Sequence, residues 1–218
     1  MKKEFEKRIY SSIIIIPLSL FFLIKGSVFF TFFLSILFLV TSYEWIILCK
    51  KNPIGKILGI IFLLFSFYSA HQIRDLLGIN SFILVIFICV FTDTGGYIFG
   101  KFFKGPKLIK ISPNKTYAGV LGGFLLAIIS GLVFENFYST DIHTYLEIFI
   151  SHSVETQLLI FVLIISLVSQ IGDLIVSYFK RLAKVKDTGK IIPGHGGILD
   201  RIDGLIFAIP ISYLILIL

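Results

Sequence analysis

The sequence is poor in the residues that staple or cap soluble folds. It contains two cysteines, one tryptophan, one methionine and six prolines. Cys49 and Cys89 both sit in apolar runs, and neither has a zinc-ligand spacing. That excludes a disulfide framework or a cysteine metal site as the organising principle. Charge is scarce too: Asp, Glu, Lys and Arg make up 15% of the chain, against about 25% in ordinary soluble domains. The polar remainder is too small for a separate soluble catalytic domain. Acids are the rarer sign, 13 against 20 bases, for a net charge of +7. In a soluble protein that balance suggests nucleic acid. In a chain this apolar, basic loops facing anionic lipid headgroups are the better reading, and no nucleic-acid partner is expected. No small-residue cleavage site follows the first apolar run, so MKKEFEKR and the IIIIPLSLFFLI after it read as a retained first span rather than a leader. No internal repeat is evident, and low complexity is confined to Ile/Leu/Phe richness.

What is present is membrane composition. The chain of 218 residues is 56% hydrophobic with a mean hydropathy of +0.96. Apolar runs recur near the ~20-residue spanning length. They predict about seven spans, over 9–24, 27–48, 55–70, 79–99, 117–134, 157–180 and 199–218. The expected fold is all-α: a polytopic helical integral membrane protein with a cytoplasm-facing polar cavity. It is read as one membrane-embedded domain, 1–218, with N-terminal spans in 1–78 and the catalytic spans and loops in 79–218. All Lys and Arg residues except Lys25 and Arg74 fall before span one, or between or at the facing ends of spans two and three, four and five, or six and seven. The long segment 135–156 carries Glu135, Asp141, Glu147 and Glu155 but no Lys or Arg. The positive-inside rule then places the N-terminus and the basic loops in the cytoplasm, and the protein in the cell's inner (cytoplasmic) membrane.

Several acids lie inside or beside spans, where a charge costs roughly 2.5–3.5 kcal/mol on the insertion scale. Glu44, Asp93, Asp173 and the pair Asp200/Asp203 all map to the cytoplasmic ends of their predicted helices. Carboxylates gathered at one depth opposite basic loops suit an oxygen-ligated Mg²⁺ bound to phosphates. A plain ion pair with Lys180, Arg181 or Arg201 is the competing explanation for each. A transporter would place its charges nearer the midplane, at broken helices, and a scaffold subunit would leave the polar motifs unexplained. Asp173, Ser177 and Lys180 share one helix face at i, i+4 and i+7, with Gln170 a turn earlier. Asp200 and Asp203 share the first turn of the last span, where free backbone N–H groups favour anions. Just before it, Pro193-Gly194-His195-Gly196-Gly197 lets backbone approach a phosphate, or forms a simple tight turn. His195 has no partner histidine at zinc spacing and reads as a phosphate contact or acid. Asp93-Thr94-Gly95 looks like an aspartic-protease triplet, but its only echo, at Asp187, lies in a basic loop, so protease chemistry is rejected. Ser112-Pro113-Asn114-Lys115-Thr116 ends a basic loop and could hold phosphate oxygens.

Together these residues resemble the CDP-diacylglycerol synthases, or phosphatidate cytidylyltransferases. The family pattern S-x-x-K-R-x4-K-D-x-G-x3-P-G-H-G-G-x-x-D-R-x-D is met by Ser177, Lys180, Arg181, Lys186, Asp187, Gly189, Pro193 to Gly197, Asp200, Arg201 and Asp203. Ser169-Gln170, Gly172-Asp173-Leu174, Asp93, Gly95, Tyr97, Gly100, Ser112, Pro113, Lys115, Thr116 and Gly119 are similar to the family as well. The likeness covers residues 92–203. Ala118 and Val176 depart from it, since many bacterial members carry Glu there. The resemblance implies transfer of a cytidylyl group from CTP to phosphatidate with Mg²⁺ and a second cation. It also implies contact with membrane lipids and a homodimer. On that reading Asp93, Asp173, Asp200, Asp203, Lys180 and Arg201 are catalytic. Asp173 and Asp200 lead as metal ligands, and Asp203 and Asp93 are candidates for a second metal site or for the groups that surround the ligands. Ser112, Lys115, Thr116, Ser177, Arg181, Lys186, His195, Gly196 and Gly197 bind substrate. A relative acting on another lipid phosphate or on a polyprenol is the alternative enzyme; a phosphate or nucleotide transporter is the alternative outside enzymes.

Overall fold

The computed structural model describes residues 2–109, 112–138, 146, 153–194 and 196–217. Its elements are α1 (Lys2–Lys25), α2 (Ser27–Leu48), α3 (Pro53–Leu76), α4 (Gly78–Phe103), β1 (Lys107–Ile109), β2 (Ser112–Thr116), α5 (Tyr117–Phe137), α6 (Val154–Leu182), α7 (Leu199–Ile202) and α8 (Leu205–Ile217). Among the described residues five helices are long and apolar enough to cross a membrane, and Tyr10–Lys25 and Leu205–Ile217 are shorter apolar helices. Helices dominate because a segment in hydrocarbon must satisfy every backbone N–H and C=O within itself. The chain is thus a multi-pass helical membrane protein, in line with the expected fold class.

The helices overrun the apolar runs that announce them. The span expected at 55–70 becomes Pro53–Leu76. Asn52 Oδ1 accepts from Gly55 N at 2.9 Å, and Pro53 needs no donor in the first turn. The span expected at 79–99 continues to Phe103 and stops where Lys104 takes φ 51°. The last span is the largest departure. It is divided into α7 and α8, with Asp203 and Gly204 between them. Gly204 packs against Ser169, and an added Cβ would lie 2.9 Å from the Ser169 carbonyl oxygen.

The chain forms two compact units. Unit 1 is Met1–His71 with Phe179–Asp203; unit 2 is Gln72–Tyr178 with Gly204–Leu218. In unit 1, Trp45 Nε1 donates to the Gly55 carbonyl at 3.0 Å, and its ring meets Phe179 edge-on with centroids 4.8 Å apart. In unit 2, α4 and α5 pack backbone to backbone. Gly95 faces the Gly122 carbonyl, and a Cβ at Gly119 would lie 2.8 Å from the Gly96 carbonyl oxygen. Leu84, Val85, Ile88, Ala127, Phe161 and Ile165 form the buried core beside that contact. The basic stretch before α5 is a small antiparallel hairpin, with Lys107 paired to Thr116 and Ile109 to Ser112. Thr116 then caps α5 by accepting from Gly119 N at 3.1 Å.

Candidate active site

The close α4–α5 contact sets the walls of a cavity of about 310 Å³ in unit 2. Helix α4 contributes Thr92, Asp93 and Tyr97, the hairpin and α5 cap contribute Ser112, Lys115 and Thr116, and α6 contributes Gln170 and Asp173. Ser112 and Lys115 arrive on β2 of the hairpin, and the cap fixes Thr116. Lys115 Nζ lies 2.6 Å from Asp173 Oδ2, with both side chains about a quarter exposed (25% and 27%). Ser177 donates to Asp173 Oδ1 at 3.2 Å, as the i, i+4 spacing predicts. Thr92 is held deeper, its hydroxyl 2.7 Å from the Ile88 carbonyl and 2.8 Å from Ser166 Oγ. Gln170 Nε2 is buried on the wall with no hydrogen-bond partner among the described residues. A buried donor left unmade costs about 1–3 kcal/mol, so this wall is suited to a ligand that brings an acceptor.

Unit 1 holds a second polar centre, built on the segment from Lys180 to Asp203. Lys180 Nζ lies 2.9 Å from Asp200 Oδ1, with side chains 12% and 6% exposed. Asp200 Oδ2 accepts from Thr188 N at 2.8 Å, Thr188 Oγ1 at 3.0 Å and Gly197 N at 3.0 Å. Burial pushes the Asp200 carboxyl up. The Lys180 hydrogen bond and the two backbone donors outweigh that and hold it below the usual carboxylate range. Glu44, 1% exposed on α2, accepts from Ile198 N at 3.0 Å and Leu199 N at 2.8 Å. Three of the amides expected to greet a phosphate, those of Gly197, Ile198 and Leu199, are therefore met here by the chain's own carboxylates. Gly196, at φ 89°, closes the turn through a bridge to Ile192. Arg181, Lys186 and Arg201 are exposed and Asp203 is partly buried.

The expected site residues thus divide. Asp93, Asp173, Ser112, Lys115, Thr116 and Ser177 belong to unit 2, and Lys180, Arg181, Lys186, Gly196, Gly197, Asp200, Arg201 and Asp203 to unit 1. His195 lies outside the described residues. The expected metal ligands do not fall in one unit. Within either unit, the described residues include no group of three or more His, Cys, Asp or Glu side chains able to hold a metal ion. The unit 2 cavity nonetheless fits Mg²⁺ in kind. It offers two carboxylates, Asp93 and Asp173, among hydroxyls, and Mg²⁺ is commonly held by one or two carboxylates plus substrate phosphates. Asp200 fits less well, because both its oxygens are already engaged.

A cavity with paired carboxylates, a lysine and hydroxyls, set among apolar helices, calls for comparison with membrane enzymes of phosphate chemistry. The model of the cytidylyltransferase family matches residues 52–218. The chain belongs to the cytidylyltransferase family. Among similar proteins is the phosphatidate cytidylyltransferase of Staphylococcus epidermidis, 43% identical over 138 residues, 62% of this chain and 49% of that protein. Those of Staphylococcus saprophyticus and Staphylococcus aureus are 44% and 43% identical over the same length and shares. The chain spans about half the length of these relatives. From sequence, Glu44 is singled out only as one of the membrane-edge acids, and Thr188 and Thr92 are given no role. A lone acid in an apolar helix was the signal for Glu44; the two threonines gave none.

Proposed function

We propose that this chain transfers the cytidylyl group of CTP to phosphatidate, giving CDP-diacylglycerol and pyrophosphate. The observation that carries the reading is the unit 2 cavity, where Lys115 and Asp173 meet beside Asp93, Ser112 and Thr116. The names of the relatives supply the substrates. A phosphatidate phosphate oxygen attacks the α-phosphorus of CTP, and the bond from that phosphorus to the bridging oxygen of the β-phosphate breaks. Such a displacement asks the protein for positioning and charge stabilisation more than covalent work. Mg²⁺, when bound, neutralises phosphate charge and orients the leaving group. Asp173 and Asp93 would hold it. Asp200 and Asp203 remain in the proposal as carboxylates of unit 1.

Lys115 has a double role in this reading. Without substrate it neutralises Asp173; with substrate its ammonium turns to a phosphate oxygen, leaving the carboxylate to a cation. Ser112 and Thr116 donate hydroxyl protons to the same phosphates, and the Gln170 amide donates to an acceptor of the nucleotide. Arg181, Lys186 and Arg201 supply exposed cations for substrate phosphate. The site faces the cytoplasm, where CTP is, and the acyl chains stay in lipid.

The test is direct. Purified protein with CTP, phosphatidate and Mg²⁺ should release pyrophosphate and form CDP-lipid in equal amounts. Replacing phosphatidate by a polyprenyl phosphate should abolish turnover. Turnover with the polyprenyl phosphate alone would assign the alternative acceptor, and none with either would reject the reading.

A further inference from the structure

The only acid of α2 is Glu44, and it is almost fully buried, at 1% exposed. A buried carboxyl is costly unless its oxygens are hydrogen-bonded. Here they are, entirely by the segment 188–199, more than a hundred residues away in the chain. Oε1 accepts from Ile198 N, and Oε2 accepts from Leu199 N and lies 3.2 Å from Thr188 Oγ1. The Thr188 hydroxyl also lies 3.0 Å from Asp200 Oδ2. It has one proton, so it bridges the two carboxyls by serving one at a time. Two glycines make room for Glu44. A Cβ at Gly189 would sit 2.5 Å from Oε1, and one at Gly197 would sit 2.6 Å from both oxygens. Glu44 also lies before the stretch matched to the family, 52–218.

We propose that Glu44 is a positioning residue. Fixed on a rigid helix, its carboxyl acts as an internal anion around which the turn from Thr188 to Leu199 wraps. Four of the turn's amides, those of Thr188, Gly197, Ile198 and Leu199, are spent on Glu44 and Asp200, so substrate phosphate is left to the exposed side chains that flank the turn, Lys186 and Arg201. Glu44 sets where those side chains stand. The last two statements rest on the proposed cytidylyl transfer; the wrapping of the turn does not.

The test reads the turn without substrate. Lys190 is exposed within the segment, and Lys104, exposed in unit 2, is an internal reference. Tryptic cleavage after Lys190 in the detergent-solubilised full chain should rise at least tenfold in Glu44→Ala, with cleavage after Lys104 unchanged. Gly189→Ala should do the same, because the three atoms nearest its new methyl all belong to Glu44. The double variant should be cleaved no faster than Glu44→Ala alone, since the methyl then has space. Coupling of that kind requires direct contact between the carboxyl and the turn. Unchanged cleavage in Glu44→Ala, or two full effects that add, would overturn the proposal. If Glu44→Ala fails to insert, Glu44→Gln takes its place in the cycle; it keeps the size but turns an amide N–H₂ toward a backbone donor, and the same increase is expected. Failure of CDP-lipid synthesis in the unmodified protein would leave these cleavage rates, and the inference about the turn, intact. In a competent enzyme, Glu44→Gln should raise the KM for CTP at least tenfold more than it lowers kcat, and a loss confined to kcat would separate Glu44 from substrate binding.

Discussion

At the scale of single residues, Asp173 and Asp200 occupy different physical situations although they carry the same expectation from sequence. Asp173 is about a quarter exposed and holds one lysine at a cavity wall. Asp200 is 6% exposed and has four donors on its two oxygens. Asp173→Asn should leave yield and monodispersity intact and lower CDP-lipid formation by roughly a hundredfold or more, as for loss of an electrostatic stabiliser. Asp200→Asn should do the reverse at the level of folding. It strips Lys180 of its partner in a buried pair, a loss on the order of 3–5 kcal/mol, read as poor yield and a lowered unfolding midpoint. Equal behaviour of the two would remove the distinction. Lys115→Ala should lower kcat/KM for CTP at least tenfold, or about 1.4 kcal/mol; unchanged kinetics would reduce Lys115 to a partner for Asp173. Acid should act through Asp200. Its folded carboxyl titrates below the ordinary value of about 3.9, so its stabilisation is complete above that value and is lost as pH falls through the depressed one. The unfolding midpoint should therefore fall off at a lower pH in the parent protein than an ordinary carboxylate would give, and Asp200→Asn should lack that step.

At the scale of elements, helix identity was plain from hydropathy, and helix ends were not. Apolar runs report where lipid is, whereas backbone hydrogen bonding continues into His71, Gln72 and Arg74 of α3 and Lys101 of α4 without regard to polarity. The division of the last span at Gly204 depends on Ser169, 35 positions earlier, so no local pattern announces it. A glycine inside a helix can serve close packing or local unwinding. The helix runs unbroken through Gly95, Gly96 and Gly100, and at Gly95 the missing side chain serves close packing against Gly122. That has a sharp consequence. Gly95→Ala drives a methyl into the Gly122 carbonyl, a backbone atom that cannot yield by rotating. Overpacking of this kind costs about 1–3 kcal/mol and should lower the unfolding midpoint and splay α4 from α5. Gly96→Ala meets nothing nearer than 3.7 Å and should leave the midpoint unchanged. A tolerated Gly95→Ala would mean that the α4–α5 contact is looser than the structure has it.

At the scale of the whole molecule, composition alone was enough for a multi-pass helical membrane protein, because 56% hydrophobic residues in apolar runs admit little else. The site was readable as a set of residue types and motifs, and not as a set of contacts. Lys115 and Asp173 were both singled out, yet nothing in their 58-residue separation says that they touch. Orientation is the remaining global property, and it rests on charge. Basic residues in short loops stay on the cytoplasmic side during insertion, so the end of α5 at Tyr138 should be outside and Lys190 inside. Both side chains are exposed, whereas Cys49 and Cys89 are buried and can be removed as background by serine substitution. Tyr138→Cys and Lys190→Cys, each alone in that background, should behave oppositely toward a membrane-impermeant thiol reagent. In intact cells Tyr138→Cys should label and Lys190→Cys should not; after permeabilisation both should. Labelling of Lys190→Cys in intact cells would invert the topology. CTP would then be on the wrong side of the membrane for Arg181, Lys186 and Arg201, and the proposed reaction would lose its nucleotide supply.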